Sequence, residues 1–142
     1  MHGLFACAAD VGTAFLYGLT KAKVFVIAGS EFGELQGQKL ILHKSCYGLR
    51  SSAARLHEHL AGRIRRLGFK PSKADADLYI REMKGSHFEM IATYVDDLLI
   101  FSKKPMDLIS EFKKEYNLKG VGEPEYYLGG NVEKPILSLI HI

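Results

Sequence analysis

The chain has 142 residues, a formal net charge of +3 and a pI near 8.8, with 47% hydrophobic and 25% charged residues. That length suits one domain or part of one with a core of moderate size, and the mild basicity is compatible with a polyanionic partner without pointing to one. Cys7 and Cys46, with no CxxC spacing, suggest neither a disulfide framework nor a zinc site and fit a reducing compartment.

No apolar run reaches ~18 residues, so no membrane span is expected. Met1–Ala9 is apolar but has no charged start, and it does not read as a signal peptide. Leu4 to Val11 reads as a short buried strand that ends at Asp10. The chain then turns through Thr13–Gly18, and Lys23–Ala28 fits an edge strand. Gly29–Gly37 is a Gly-rich loop, and Lys39–His43 is another short apolar run.

Ser51 or Ser52 is placed to cap a helix over Ala53–Leu67. Leu56, Leu60, Ile64 and Leu67 make one apolar stripe, and Gly68 ends the helix. Arg55, Arg63, Arg65 and Arg66 ride on it, the last two where the helix dipole favours cations. His57 and His59, two apart, point in different directions and do not make a metal pair.

Phe69–Asp77 is a polar connection. Asp77–Met83 and Phe88–Tyr94 read as a hairpin over Lys84-Gly85-Ser86-His87, and Leu98–Ser102 closes a second hairpin around Asp96-Asp97. Pro105 starts a helix running to Tyr116. Asn117–Glu125 reads as a loop and Tyr126–Val132 as a last strand. The order strand, insertion, helix, strand, strand, helix, strand is the split βαβ, ferredoxin-like pattern of an α+β fold with an antiparallel sheet and helices on one face. It brings Asp10 to Asp96 and Asp97.

Two adjacent carboxylates between apolar runs have two readings. One is a solvated hairpin turn, an ordinary role for Asp. The other is a cation site, since like charges beside a core need compensation and hard oxygens suit Mg²⁺. With Asp10, three carboxylates could hold two divalent cations about 3.5–4 Å apart and serve nucleotidyl transfer. A GxxxxGK[ST] phosphate loop is absent.

Tyr94-Val95-Asp96-Asp97 resembles the YxDD box of reverse transcriptases. Asp10 to Gly18 resembles the DVKTAFLNG segment of copia-type retrotransposon polymerases. Cys46 to Ser52 is similar to that family's LYGLKQS, Leu67–Lys70 and Ser72–Tyr79 to its LGF…SKADPCLY, and Tyr126–Gly129 to its YFLG. The five matches are in family order and cover roughly residues 8 to 133.

The resemblance implies an RNA-directed DNA polymerase palm over residues 1–133, with 134–142 as an unassigned tail. It implies two Mg²⁺ ions, with Mn²⁺ as the alternative, held by Asp10 and Asp96, with Asp97 and the Val11 backbone carbonyl beside them. Phe15 matches a steric gate against ribonucleotides; a core phenylalanine is the plainer reading. Arg50, Ser51 and Ser52 match a segment near template and incoming base, and Tyr94 and Val95 shape the primer terminus. Arg55, Arg63, Arg65 and Arg66 could meet nucleic-acid backbone or form a solvated helix face. Lys113, Lys114 and Lys119 are equal candidates for a general acid on pyrophosphate.

The implied partners are an RNA template, a DNA primer, dNTPs and the fingers, thumb and RNase H segments of a parent polyprotein. The implied setting is intracellular, in a cytoplasmic particle or the nucleus, without a membrane. Ala53, Leu56 and Ala76 depart from the family pattern at usual Pro, aromatic and Pro positions. Fingers are expected upstream of Asp10, which makes the isolated chain inactive and poorly soluble by expectation. A non-catalytic remnant, at most a nucleic-acid-binding or structural domain, is the competing reading. Another palm-like two-metal transferase or cyclase would leave the Tyr47-Gly48-Leu49 and Tyr127-Leu128-Gly129 matches unexplained.

Overall fold

The computed structural model describes residues 3–132, so the tail 134–142 lies outside the described residues. In chain order the elements are β1 (Phe5–Val11), a 3₁₀ turn (Ala14–Tyr17), β2 (Leu19–Ile27), a second 3₁₀ segment (Ser30–Leu35) and β3 (Lys39–Lys44). Helix α1 (Ser52–Arg66), β4 (Lys70–Pro71), β5 (Leu78–Met83), β6 (His87–Tyr94) and β7 (Asp97–Ser102) follow. Helix α2 (Pro105–Lys113), β8 (Leu118–Gly122), β9 (Tyr126–Tyr127) and β10 (Gly130–Asn131) complete the described chain. They form two compact units, one of residues 12–70 and one of residues 3–11 with 71–132.

The second of these units is built on a sheet of order β4-β5-β6-β7-β1-β8. Every pairing from β5 to β8 is antiparallel. β7 is central, between β6 and β1, and Leu98, Leu99 and Ile100 are buried in succession, as expected of a strand covered on both faces. β1 alternates instead: Cys7, Ala9 and Val11 are buried while Ala6, Ala8 and Asp10 are half-buried. Helix α2 packs on β1 and β7 and buries Leu108, Ile109 and Phe112. Its Pro105 sits in the first turn, where a missing N–H costs nothing.

Three polar side chains are buried among the described residues of this unit, Glu89, Thr93 and Ser102. Glu89 is 5% exposed. It accepts hydrogen bonds from Ser102 Oγ at 2.6 Å and from Arg81 Nε at 3.0 Å, and Arg81 Nη2 pairs with it as well. Burial pushes the Glu89 carboxyl up, but the Ser102 and Arg81 hydrogen bonds and the Arg81 charge outweigh that and hold it below the usual carboxylate range.

The unit of residues 12–70 contains the β2–β3 hairpin and α1. Leu56, Leu60, Ala61 and Ile64 are the buried stripe of α1, and the helix packs on the Ala14–Tyr17 turn. Gly18 allows a close approach here, since a Cβ on it would lie 2.7 Å from Arg55 Cβ. The helix ends as the sequence indicates. Gly68 takes φ +90°, Gly68 N–H donates to the Arg65 carbonyl at 2.9 Å, and Phe69 N–H reaches back to the Ile64 carbonyl at 3.4 Å, a Schellman closure with Phe69 buried.

Several local expectations change. The loop expected over Asn117–Glu125 contains β8, which pairs with β1. Two glycines mask it, because its order comes from the neighbouring strand and not from its own propensity. The last strand is not continuous: Tyr126–Tyr127 and Gly130–Asn131 pair with each other around Leu128-Gly129. The strand expected at Lys23–Ala28 starts at Leu19 and pairs only with β3, and the Gly29–Gly37 loop contains the Ser30–Leu35 segment, kinked at Gly33. Ser51 does precede α1, but its φ/ψ are already helical and its side chain makes no capping bond. Capping requires an extended residue there.

Candidate functional site

Asp10 is the second-last residue of β1, and Asp97 is the first of β7. The sheet register puts them directly opposite each other. Tyr94 and Asp97 flank the β6–β7 turn as a cross-strand pair, so Val95 and Asp96 form its two-residue tip. Val11 N–H donates to the Asp96 carbonyl at 2.8 Å and ties this tip to β1. Val95 takes φ 53°, a left-handed conformation that a β-branched residue adopts only under constraint.

The result is a compact acidic cluster. Asp10, Asp96 and Asp97 each offer a carboxylate oxygen, all within 4.8 Å of one another, and each residue is half-buried. Burial raises the Asp10 carboxyl above its usual range, and the Asp96 and Asp97 charges add to this; Lys119 opposes them. Burial and the Asp96 charge raise Asp97. The cluster therefore carries more negative charge than its protein neighbours compensate, and its donors are hard oxygens. Both properties suit a divalent cation of the Mg²⁺ type. The cluster opens into a cleft of about 630 Å³ lined by Asp10, Tyr94, Asp97, Tyr127, Leu128 and Gly129, among others.

A family profile described as reverse transcriptase (RNA-dependent DNA polymerase) matches residues 3–139. The chain belongs to that family. Among curated proteins, this reverse transcriptase chain is 28% identical over 130 residues to the putative transposon Ty5-1 protein YCL074W of Saccharomyces cerevisiae, covering 88% of the chain and 42% of the relative. It is 28% identical over 127 residues to the retrovirus-related Pol polyprotein from transposon TNT 1-94 of Nicotiana tabacum, covering 84% and 9%. It is 26% identical over 125 residues to the retrovirus-related Pol polyprotein from transposon RE1 of Arabidopsis thaliana, covering 84% and 8%. The chain thus spans less than half the length of each of these relatives.

Tyr94 and Val95 lie at the cluster, both exposed. Of the three lysines left open by the sequence, Lys119 pairs in register with Asp10, whereas Lys113 sits in the last turn of α2 and Lys114 pairs with Glu111 at 2.6 Å. The remaining residues singled out in the sequence belong to the unit of residues 12–70. Phe15 is half-buried, its ring edge-on to Tyr47 with centroids 4.6 Å apart. Arg50 and Ser51 are exposed; Ser52 is buried and its hydroxyl donates to the Cys46 carbonyl. Arg65 and Arg66 are exposed, Arg63 is half-buried, and Arg55 pairs with Glu58 at 2.9 Å.

Sequence reasoning passed over Tyr127 as a cleft residue. Its neighbourhood was legible only as a family match. Burial, with the Asp97 and Asp77 charges, pushes its phenol up to about 12. Gly120, also in the cleft, was hidden inside the expected loop.

Proposed function

We propose that residues 1–133 are the palm of an RNA-directed DNA polymerase from a copia-type retrotransposon, a nucleotidyltransferase that joins dNTPs to a DNA primer on an RNA template. The observation that carries this reading is the convergence of Asp10, Asp96 and Asp97 within 4.8 Å in a chain of the reverse transcriptase family. The strand order β6-β7-β1-β8 supports reading this sheet as a split βαβ palm.

Asp10 and Asp96 would be the principal cation ligands, with Asp97 and the Val11 carbonyl beside them. Two Mg²⁺ or Mn²⁺ ions, when bound, would supply activation of the primer hydroxyl and charge neutralisation on the triphosphate. The protein's own part is position. The β-ladder holds Asp10 opposite Asp97, and the Val11 N–H holds the tip that bears Asp96. Tyr94 and Val95 face the primer terminus in this reading. Lys119 would be the lysine that acts on the leaving pyrophosphate, a choice supported by its register with Asp10.

Phe15 is the gate against the ribose 2′-hydroxyl in this reading, and Arg50 and Ser51 lie toward template and incoming base, with the buried Ser52 hydroxyl tying their turn to the Cys46 carbonyl. Between Gly12 and Lys70 the sequence has ten lysines and arginines against three acidic residues. This excess supports contact of Arg55, Arg63, Arg65 and Arg66 with phosphate backbone. Substrate clamping comes from further segments of a parent polyprotein, within a cytoplasmic particle or the nucleus, and the isolated chain is inactive.

Primer extension on an RNA template, with the parent polyprotein as wild type and as Asp96→Asn, tests the proposal. Mg²⁺-dependent dNTP incorporation that Asp96→Asn abolishes is the expected result. Unchanged incorporation in the variant overturns the assignment. A parent protein without any incorporation favours the non-catalytic remnant.

A further inference from the structure

One polar group on a residue that lines the cleft is unexplained by the reading so far. The Tyr127 hydroxyl oxygen is shielded from solvent and has no hydrogen-bond partner among the described residues. Buried hydroxyls are almost always paired, and an orphan marks a partner that arrives with another state of the site. Tyr127 is also held firmly. It pairs with Gly130 across a hairpin whose tip has Leu128 at φ 51° and Gly129 at φ 81°, and Val132 N–H closes the hairpin on the Glu125 carbonyl at 3.0 Å.

Asp97 complements it. Its carboxylate accepts no hydrogen bond among the described residues, and it lines the same cleft as Tyr127. Its charge reaches the Tyr127 phenol. Asp77, the other carboxylate whose charge reaches that phenol, does not line the cleft. A neutral phenol can donate, and an ionised carboxylate can only accept. Carboxylates that ligate metals are themselves oriented by outer hydrogen-bond donors.

We propose that Tyr127 is a positioning residue of the cation site, its hydroxyl being the donor that orients the Asp97 carboxylate when divalent cations are bound. The role rests on the polymerase reading above. It assigns to the Tyr126–Asn131 hairpin a function in holding a metal ligand, and it accounts for an unpartnered donor and an unpartnered acceptor on two residues that line one cleft.

The test is Mn²⁺ binding to the full 142-residue chain, followed by electron paramagnetic resonance, for wild type, Tyr127→Phe, Asp97→Asn and Asp77→Asn, with thermal melts on each. Tyr127→Phe removes one oxygen and should weaken Mn²⁺ binding about 10–100-fold, the usual cost of losing an outer-shell partner. In the parent polymerase the Mg²⁺ concentration for half-maximal incorporation should rise by a similar factor, with rate recovered at saturating Mg²⁺. Asp77→Asn should bind as wild type does.

A merely structural tyrosine would lower the melting temperature and leave Mn²⁺ affinity unchanged. If Tyr127→Phe does not fold, 3-fluorotyrosine at position 127 keeps the shape and strengthens the donor. That protein must bind Mn²⁺ at least as tightly as wild type, and weaker binding overturns the proposal. Wild-type affinity in Tyr127→Phe, with Asp97→Asn impaired, refutes the positioning role and leaves the metal site standing. A wild-type chain that takes up no Mn²⁺ removes the metal site, and the role of Tyr127 with it.

Discussion

Replacing Asp96 by Asn should make the cation-free protein more stable. Asp96 is the member of the cluster whose charge raises both Asp10 and Asp97. With oxygens within 4.8 Å of one another, Coulomb's law gives about 3.5 kcal/mol per pair at an effective dielectric of ~20 and about 0.9 kcal/mol in water. The three residues are half-buried and screened by solvent, so the lower end applies, roughly 1 kcal/mol per pair.

Asp96→Asn relieves two such pairs, about 2 kcal/mol in all. For a chain of this size that is a rise of roughly 4–8 °C in melting temperature. The sign with pH follows from the raised carboxyls. In wild type the repulsion is absent well below the ordinary carboxylate range and sets in as pH rises through the folded-state values of Asp10 and Asp97. The stability gap between variant and wild type is therefore full at neutral pH and closes on acidification. It should also shrink in 1 M salt, where the screening length is about 3 Å.

Calorimetry at pH 7 with and without Mg²⁺ measures all of this. Mg²⁺ should raise the wild-type melting temperature and close the gap, because a cation neutralises the same charges. A variant that melts lower than wild type without Mg²⁺ would refute the repulsion. A wild type indifferent to Mg²⁺ would return Asp96 and Asp97 to a solvated turn.

Glu89→Ala should destabilise the fold by about 3 kcal/mol in urea titrations, since it strands the partly buried Arg81 and the buried Ser102 hydroxyl. The Glu89 carboxyl lies below its usual range, so its contribution is present above the ordinary glutamate pKa and fades as pH falls through the lower folded value; a stability gap between wild type and Glu89→Ala that does not narrow with acid would contradict this. Gly18→Ala would place a methyl 2.7 Å from Arg55 Cβ and 3.1 Å from the Arg55 carbonyl carbon. A loss of about 1–3 kcal/mol is expected, and an unchanged urea midpoint would show that the helix yields freely. Phe15→Ala in the parent polymerase should lower the preference for dNTPs over rNTPs by about 10-fold in kcat/KM, and unaltered sugar selection removes the gate role.

Much of the architecture was readable from local pattern. The alternation in β1, the apolar runs around Asp96-Asp97, the stripe Leu56, Leu60, Ile64 and the stop at Gly68 all report chemistry within a few residues of chain. The strand order that brings Asp10 to Asp97 followed from the succession of those elements. Local pattern failed where order is borrowed. β8 contains two glycines and acquires its hydrogen bonds from β1, and the Tyr126–Asn131 hairpin turns on a leucine at positive φ that no turn rule favours.

The sequence by itself indicated which carboxylates converge, because the succession of strands and helices already brings Asp10 to Asp96 and Asp97, while residue type alone left a solvated turn and a cation site both open. Only the tertiary structure decided what surrounds them. It put Lys119 beside Asp10, left the Tyr127 hydroxyl buried without a partner near Asp97, and closed Arg81 and Ser102 on Glu89. Each of these depends on the register between strands distant in sequence. Register is set by how whole strands bury their faces together, so it is a property of the assembled sheet.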